Sequence, residues 1–69
     1  MANWFVNCRQ NWIAEMLRVY GFINREHLMR KFRMSQPQAS ADLQRFLKVH
    51  PDLVAYDLSR KTYVAKERA

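Results

Sequence analysis

The chain has 69 residues, which is enough for one small domain and too few for two. Its formal net charge of +6 favours a polyanionic partner: DNA, RNA or an anionic membrane surface. The same charge is also compatible with a basic surface that only keeps the protein in solution. A single cysteine excludes an internal disulfide, and no apolar run approaches the length of a membrane span. We therefore expect a cytoplasmic location.

Residues 1–20 are predicted to form the first helix, which Gly21 ends. Two apolar rows run along it, and one of them suffices to pack against a small domain. That row contains Ile13, Leu17 and Tyr20. The second row would leave a large apolar patch in water, and such patches are typical of interfaces. We therefore predict a homodimer through this row and the adjacent Trp4. The predicted interface residues are Trp4, Phe5, Trp12, Met16 and Val19. Alternatively, the aromatic residues fold back over the same core.

A short extended link at residues 21–23 leads to the second predicted helix, residues 24–33. Asn24 is a favourable N-cap residue for this helix. The spacing turns Leu28, Met29 and Phe32 inward. The outward side is strongly cationic, and we expect some of its side chains to contact phosphates. These cations are Arg25, Arg30, Lys31 and Arg33.

A third helix follows after a tight turn, so residues 24–49 have the pattern of a helix-turn-helix. This helix, residues 35–49, begins with Ser35 and Gln38, which are spaced as a capping box. Pro37 suits the first turn. Its inward row is Ala39, Leu43, Phe46 and Leu47. The outer face is polar, and such side chains can bind base edges in a DNA groove, although an ordinary surface helix has a similar pattern. The predicted base-contacting residues are Gln36, Gln38, Ser40, Ala41, Gln44 and Arg45.

Residues 53–65 are rich in β-branched and aromatic side chains and are predicted to form a two-stranded hairpin, or wing. In the predicted register Tyr56 lies opposite Tyr63, and a four-residue loop with Arg60 and Lys61 forms the tip. Residues 66–69 are expected to fray. The fold class is therefore mainly α with a small β-hairpin, a winged helix-turn-helix of three helices and a two-stranded wing.

Residues 21–64 contain several short runs typical of one group of bacterial regulators. They are GFINREHL at residues 21–28, FRMS at 32–35, QASADL at 38–43, Tyr-Asp at 56–57 and KTYV at 61–64. With these runs the chain resembles the N-terminal DNA-binding domain of DeoR-type and WYL-domain transcription regulators, and the last two runs resemble the form found in regulators of phage-defence loci. The chain departs from the DeoR-type pattern at Ser40 and Ala41, where that pattern has two arginines, so no base specificity is carried over. An acid facing DNA would be repelled, so Asp42 is expected to have a structural part.

The resemblance implies a sequence-specific regulator of transcription, and more narrowly a repressor, in the nucleoid of a bacterial or phage-infected cell. It would bind double-stranded DNA at a palindromic operator as a homodimer, with the third helix in the major groove. Regulators of this kind continue into a ligand-sensing domain, so the chain is either part of such a protein or a small stand-alone regulator. The residues predicted to contact the DNA backbone are Arg25, Arg30, Lys31, Ser35, Lys48, Arg60 and Lys61.

Two other classes of partner remain open from the sequence. The apolar first helix would also suit a protein-interaction module that binds a different protein. RNA binding would need aromatic side chains such as Tyr56 and Tyr63 to face outward. We expect no enzymatic activity, metal, cofactor or small-molecule ligand, because His27 and His50 lack the spacing of a metal site and Gly21 is the only glycine.

Overall fold

The computed structural model describes residues 4–66. The domain consists of three helices and a small antiparallel sheet. The elements are α1 (Trp4–Tyr20), β1 (Phe22–Ile23), α2 (Arg25–Phe32), α3 (Gln36–Val49), β2 (Val54–Asp57) and β3 (Thr62–Ala65). This arrangement confirms the predicted fold class, mainly α with a small β wing.

Helix α1 packs through Ile13 and Leu17, which are buried as predicted. Tyr20, predicted to face inward with them, is exposed, because it lies in the last turn, beyond the part of α1 that the core covers. The helix ends where the Gly21 N–H donates to the Leu17 carbonyl at 2.9 Å. Gly21 has a φ of +83°, a left-handed conformation that favours glycine.

Helices α2 and α3 are joined by a turn that contains no glycine. Arg33 takes the left-handed conformation at the end of α2, with φ 51° and ψ 47°. The predicted capping box of α3 is present: Gln38 N–H donates to Ser35 Oγ and Ser35 N–H donates to Gln38 Oε1, both at 3.4 Å. The turn therefore depends on a strained arginine at one end and a cap at the other.

Helix α2 has a capping box that the sequence did not indicate. His27 is half-buried, and its Nδ1 accepts the Asn24 N–H at 3.2 Å. In return Asn24 Oδ1 accepts the His27 N–H at 3.2 Å. The imidazole supplies the acceptor that Glu or Gln more often supplies at this position.

The sheet has three strands in the order β1-β3-β2, not the two that were predicted. The segment predicted to be a simple link is strand β1, whose Phe22 pairs with Val64 and whose Ile23 pairs with Tyr63. The Thr62 hydroxyl also donates to the Ile23 carbonyl at 3.1 Å. A two-residue strand is too short to show alternation in sequence, and it forms here because β3 offers it an open edge.

The hairpin has the predicted register, with Tyr56 opposite Tyr63 and Asp57 opposite Thr62. Lys66 was predicted to fray but is held in place, because its N–H donates to the Leu53 carbonyl at 2.9 Å and its ammonium to the Pro51 carbonyl at 2.7 Å. Residues 67–69 of the predicted tail, and residues 1–3 of the predicted first helix, lie outside the described residues.

The core draws on all three helices and two of the strands. It consists of Ile13, Leu17, Ile23, Leu28, Ala39, Leu43, Phe46 and Val54. None of the helices within residues 4–66 has both the length and the apolar character needed to cross a membrane.

Candidate nucleic-acid interface

Polar contacts join the middle of α3 to the first half of α1. Asp42 is buried, and its carboxylate accepts from Arg9 Nε and, at 3.4 Å, from Arg9 Nη2. The Gln10 side chain donates to the Asp42 carbonyl at 2.9 Å. This confirms the structural part expected of Asp42. Because Asp42 points into the protein, the opposite side of α3 must face solvent.

That opposite side carries the six residues predicted to contact bases. Five are exposed and Ser40 is half-buried. At 3.6 residues per turn they divide between two edges of the helix. Gln36, Ser40 and Gln44 are spaced by four and form the edge toward the wing, whereas Gln38 and Arg45 form the other edge and Ala41 lies between them. The structure therefore presents a polar ridge with a small residue at its centre.

The residues of the capping box are already engaged. The Ser35 N–H and the Gln38 side-chain oxygen bind one another, although at the long distance of 3.4 Å. The Gln38 amide nitrogen has no part in this contact, so Gln38 can cap the helix and still donate outward. Ser35 remains exposed at the helix N-terminus, where an anion is favoured.

A groove of about 700 Å³ runs between α3 and the wing, and we call it the α3–wing groove. It collects residues from four elements and the hairpin loop. The cations Arg25, Arg60 and Lys61 line it, and Glu26 is the one acid among its lining residues. Its other lining residues are Asn24, Ser40, Leu43, Gln44, Leu47, Tyr56 and Tyr63. Three of the predicted backbone-contacting cations are thus brought next to one edge of the polar ridge.

Two tyrosines extend the inner face of the sheet into this groove. Val54 and Ala65 face the core, and the next cross-strand pair on the same face is Tyr56 with Tyr63, with ring centroids 4.8 Å apart. Tyr56 is 41 % exposed. Burial, and to a smaller extent the neighbouring Tyr56, raises the pKa of Tyr63. Tyr56 was not among the residues predicted to contact DNA, although its spacing of two from Val54 places it on this face.

The tip of the wing is ordered by Asp57. Its Oδ1 accepts from Ser59 N–H at 3.0 Å, Ser59 Oγ at 2.8 Å and Arg60 N–H at 3.1 Å. These bonds, first that of the Ser59 hydroxyl and then that of the Arg60 N–H, lower the pKa of the Asp57 carboxyl. Lys61 then takes a left-handed φ of 53°. The turn therefore holds Arg60 and Lys61 at the mouth of the groove.

The remaining predicted backbone contacts lie elsewhere. Lys48 is exposed on α3. Arg30 and Lys31 instead line a second groove, of about 510 Å³, on the far side of α2. We call it the α1–α2 groove; its other lining residues are Trp12, Met16, Tyr20, Phe22 and His27. These two cations therefore border the proposed dimer surface and not the α3–wing groove.

The residues predicted to form a dimer interface differ in exposure. Trp4, Phe5 and Val19 are 69, 66 and 53 % exposed. Trp12 and Met16 are half-buried and pack partly against the core, and the Trp12 ring meets the Phe32 ring edge-on at 5.5 Å. Part of the row therefore does fold back over the core, and the rest of it faces solvent. Among residues 4–66 no group of three His, Cys, Asp or Glu side chains is placed to hold a metal ion.

Comparisons with a family model and with individual proteins both relate the chain to bacterial transcription regulators. Residues 6–68 match the family model described as the BrxR transcriptional regulator winged helix-turn-helix domain. The chain is 42 % identical over 64 residues, 93 % of its length, to the DNA-binding transcriptional repressor CapW of Stenotrophomonas maltophilia. It is 42 % identical over 62 residues, 90 % of its length, to a protein of the same description from Escherichia coli strain KTE188. The chain spans 21 % of the length of each of these relatives.

These matches confirm the resemblance to bacterial regulators and the expectation that the chain is not an enzyme. The match covers every helix and strand of the fold except the first residues of α1. The chain therefore belongs to the family of winged helix-turn-helix domains of BrxR transcriptional regulators.

Proposed function

We propose that this domain binds double-stranded DNA at a palindromic operator, as a homodimer, and represses transcription there. The observation that carries the proposal is the polar ridge of α3 bordered by the cationic α3–wing groove. A ridge of amides, a hydroxyl and a guanidinium can form hydrogen bonds with base edges, and the flanking cations suit the phosphates on either side of the major groove. The description of the relatives as DNA-binding transcriptional repressors supports the proposal.

The two edges of α3 would have different tasks in this complex. Gln44 and Ser40 lie beside the groove cations, so they would contact bases next to the strand that the wing holds. Arg45, on the other edge, would contact a base further along, and a bidentate contact to guanine suits it best. Ala41 would meet a thymine methyl between them. A base-contacting pair of this kind contributes about 1–3 kcal/mol of discrimination.

The phosphates would be held mainly at the α3–wing groove. Arg25, Arg60 and Lys61 surround it, and the exposed Tyr56 phenol can donate a hydrogen bond to a phosphate oxygen. The backbone N–H of Gln36, at the start of α3 and next to Ser35, would bind another phosphate. Lys48 is exposed farther along α3 and would contact the same strand.

A homodimer is supported by the apolar residues of α1. Trp4, Phe5 and Val19 remain mostly exposed, whereas the apolar residues of the core are buried. Large exposed aromatic side chains usually mark an interface. A two-fold dimer would bind two half-sites separated by one helical turn of DNA or a multiple of it, which predicts an operator with a palindromic sequence.

The test is a selection from random duplexes followed by fluorescence anisotropy with the selected sequence. We expect a palindromic consensus, and we expect Gln44→Ala to weaken binding to it by about tenfold, as the loss of one base contact does. Asn11→Ala is the matched control, since Asn11 is an exposed amide on α1, and it should leave the affinity unchanged.

Two results would contradict the proposal. One is a selection that yields no consensus, together with equal binding to all duplexes. The basic surface would then bind any polyanion without sequence preference. The other is a consensus whose recognition survives replacement of Gln44, Arg45 and Ser40, since α3 would then not be the reading element.

A further inference from the structure

We propose that two copies of the domain pair through antiparallel α1 helices that cross at Trp12. This inference rests on the homodimer proposed above and specifies its geometry. It starts from the spacing of the apolar residues on one face of α1. That row is Phe5, Cys8, Trp12, Met16 and Val19.

The row is symmetric about its central residue. Cys8 and Met16 stand four residues before and after Trp12, and Phe5 and Val19 stand seven before and after it. In an antiparallel pair centred on Trp12, residue 12−n lies level with residue 12+n of the other copy. Phe5 would therefore lie level with Val19 of the second copy, and Cys8 level with Met16. A surface that meets itself across a two-fold axis needs this symmetry.

The exposed residues also fit the unfilled groove of a second copy. Trp4 and Phe5 form an edge-on ring pair, with centroids 5.1 Å apart, at the start of α1. The α1–α2 groove lies beside the other end of the helix, and Met16, Tyr20 and Phe22 are among its lining residues. An antiparallel pair brings the ring pair of each copy to the groove of the other. A parallel pair would bring the two ring pairs together and leave both grooves in water.

The charge of α1 permits this contact. The row itself has no charged residue. Both arginines of α1 are already matched within their own copy, Arg9 by Asp42 and Arg18 by Glu15. Arg30 and Lys31 of α2 border the α1–α2 groove, so like charge opposes association there and opposes it less along the apolar row of α1.

The area available is at the lower end of what a specific dimer needs. Aromatic side chains bury about 150–250 Å² each, so Trp4 and Phe5, with the exposed parts of the row and the groove, would give about 500 Å² per copy. The total of about 1,000 Å² meets the minimum for a specific interface. We therefore expect a weak dimer that DNA binding strengthens, because the two half-sites bring the copies together.

Disulfide cross-linking under mild oxidation tests this geometry, because Cys8 is the only cysteine. In the unaltered chain the two Cys8 residues would be about 12 Å apart along the helix axis, at 1.5 Å per residue, and should not cross-link. Met16→Cys, with Cys8 retained, should give a covalent dimer as the main product on a non-reducing gel. Cys8→Ala with Met16→Cys is the matched control and should remain monomeric on the gel.

A second set uses exposed positions, so that a loss of folding cannot explain the result. In a Cys8→Ala background, Phe5→Cys with Val19→Cys should cross-link, and each of the two single cysteines should not. Circular dichroism of each variant confirms its fold.

The outcomes separate the geometry from the proposed function. Cross-linking of the unaltered chain through Cys8, or of Phe5→Cys alone, would overturn the antiparallel pair in favour of a parallel one. A dimer by light scattering without cross-linking in either set would place the interface elsewhere, and capture of a different protein by a monomeric domain would overturn the pair outright. Anisotropy with the operator is independent of these readouts, so DNA binding by a strict monomer would refute the dimer and leave the DNA-binding proposal standing.

Discussion

Helices α1 and α3 pack against the core in the same way, but the outer faces that they turn to the solvent differ in chemistry. Each buries one row of apolar residues, such as Ile13 and Leu17 on α1 and Leu43 and Phe46 on α3. The outer side of α3 is polar and cationic, whereas much of the outer side of α1 is apolar and its charges are paired. The two helices share one structural requirement, which is coverage of the core, and they differ only in the residues that the core does not constrain.

This difference shows where function is encoded in a domain of this size. A core position accepts almost any apolar residue of suitable volume, so it says little about the partner. The outer faces carry no packing requirement, and their chemistry must therefore serve solubility or binding. The Arg9–Asp42 contact connects the two helices, so it sets the direction in which both outer faces point.

The largest effect is expected from breaking this connection. Asp42→Ala leaves the half-buried Arg9 guanidinium without its partner and should lower the free energy of unfolding by about 2–3 kcal/mol, less than a fully buried pair because Arg9 is partly solvated. Urea denaturation measures the loss. Glu15→Ala breaks the exposed pair with Arg18 on the same helix and should cost less than about 0.5 kcal/mol. Equal losses would mean that the pair does not join the helices.

A negative charge placed on each helix tests whether the outer faces differ in function. Ala41→Glu puts a carboxylate at the centre of the α3 ridge and should weaken DNA binding at least tenfold, about 1.4 kcal/mol, through repulsion by phosphates. Asn11→Glu makes the same change in net charge on α1 and should have a much smaller effect. Anisotropy at one salt concentration gives both values. Similar losses for the two variants would show that only net charge matters.

Arg33 and Lys61, the two left-handed residues other than glycine in the described chain, allow stability and binding to be separated. Lys61→Gly relieves a backbone that an L-residue adopts at a cost of about 1–2 kcal/mol, and after the larger chain entropy of glycine it should stabilise the fold by about 0.5–1 kcal/mol. It should nonetheless weaken DNA binding, because a groove cation is lost. Arg33→Gly gives the matched control: it should stabilise the fold by a similar amount and weaken binding less. Thermal melts measure the change in stability, and anisotropy measures the change in DNA affinity. Stronger DNA binding by Lys61→Gly would contradict this prediction.

The smallest effect expected is the loss of stability at low pH that Asp57, at the tip of the wing, causes when it is protonated. The pKa of Asp57 is lowered from its ordinary value of 3.8. Its ionised carboxylate therefore stabilises the folded state above pH 3.8, and this stabilisation is lost as the pH falls through the folded-state pKa. Asp57→Asn keeps the acceptor without the charge and should show a flatter decline of the melting temperature below pH 3.8. An unchanged acid profile would show that the carboxylate does not stabilise the turn.

Much of the fold follows from the sequence because the signals are local. Ser35, Pro37 and Gln38 mark the start of α3, and the apolar spacing of Ala39, Leu43 and Phe46 marks its inward face. The hairpin register follows from the position of its loop. Of the features that the sequence did not indicate, the capping box of α2 is local, whereas the third strand depends on a tertiary contact. Strand β1 exists only because β3 has an open edge beside it.

The candidate site could be predicted in part for the same reason. The outward residues of α3 follow from periodicity, but their grouping with Arg25, Arg60 and Lys61 depends on how the wing folds against α2 and α3. The position of Arg30 and Lys31 on the far side of α2 could not be predicted, because a helix of eight residues can carry cations on every side. Asp42 was an exception, since the improbability of an acid facing DNA already indicated its inward direction.

The salt dependence of DNA binding tests the central claim most directly, namely that the cations of the α3–wing groove hold the phosphates. The slope of log K against log salt changes by about 0.9 for each phosphate contact. Arg25→Ala should therefore reduce the slope by about 0.9, whereas Arg18→Ala, which removes the same charge from α1, should leave it unchanged. An equal reduction for both variants, or none for Arg25→Ala, would contradict the account.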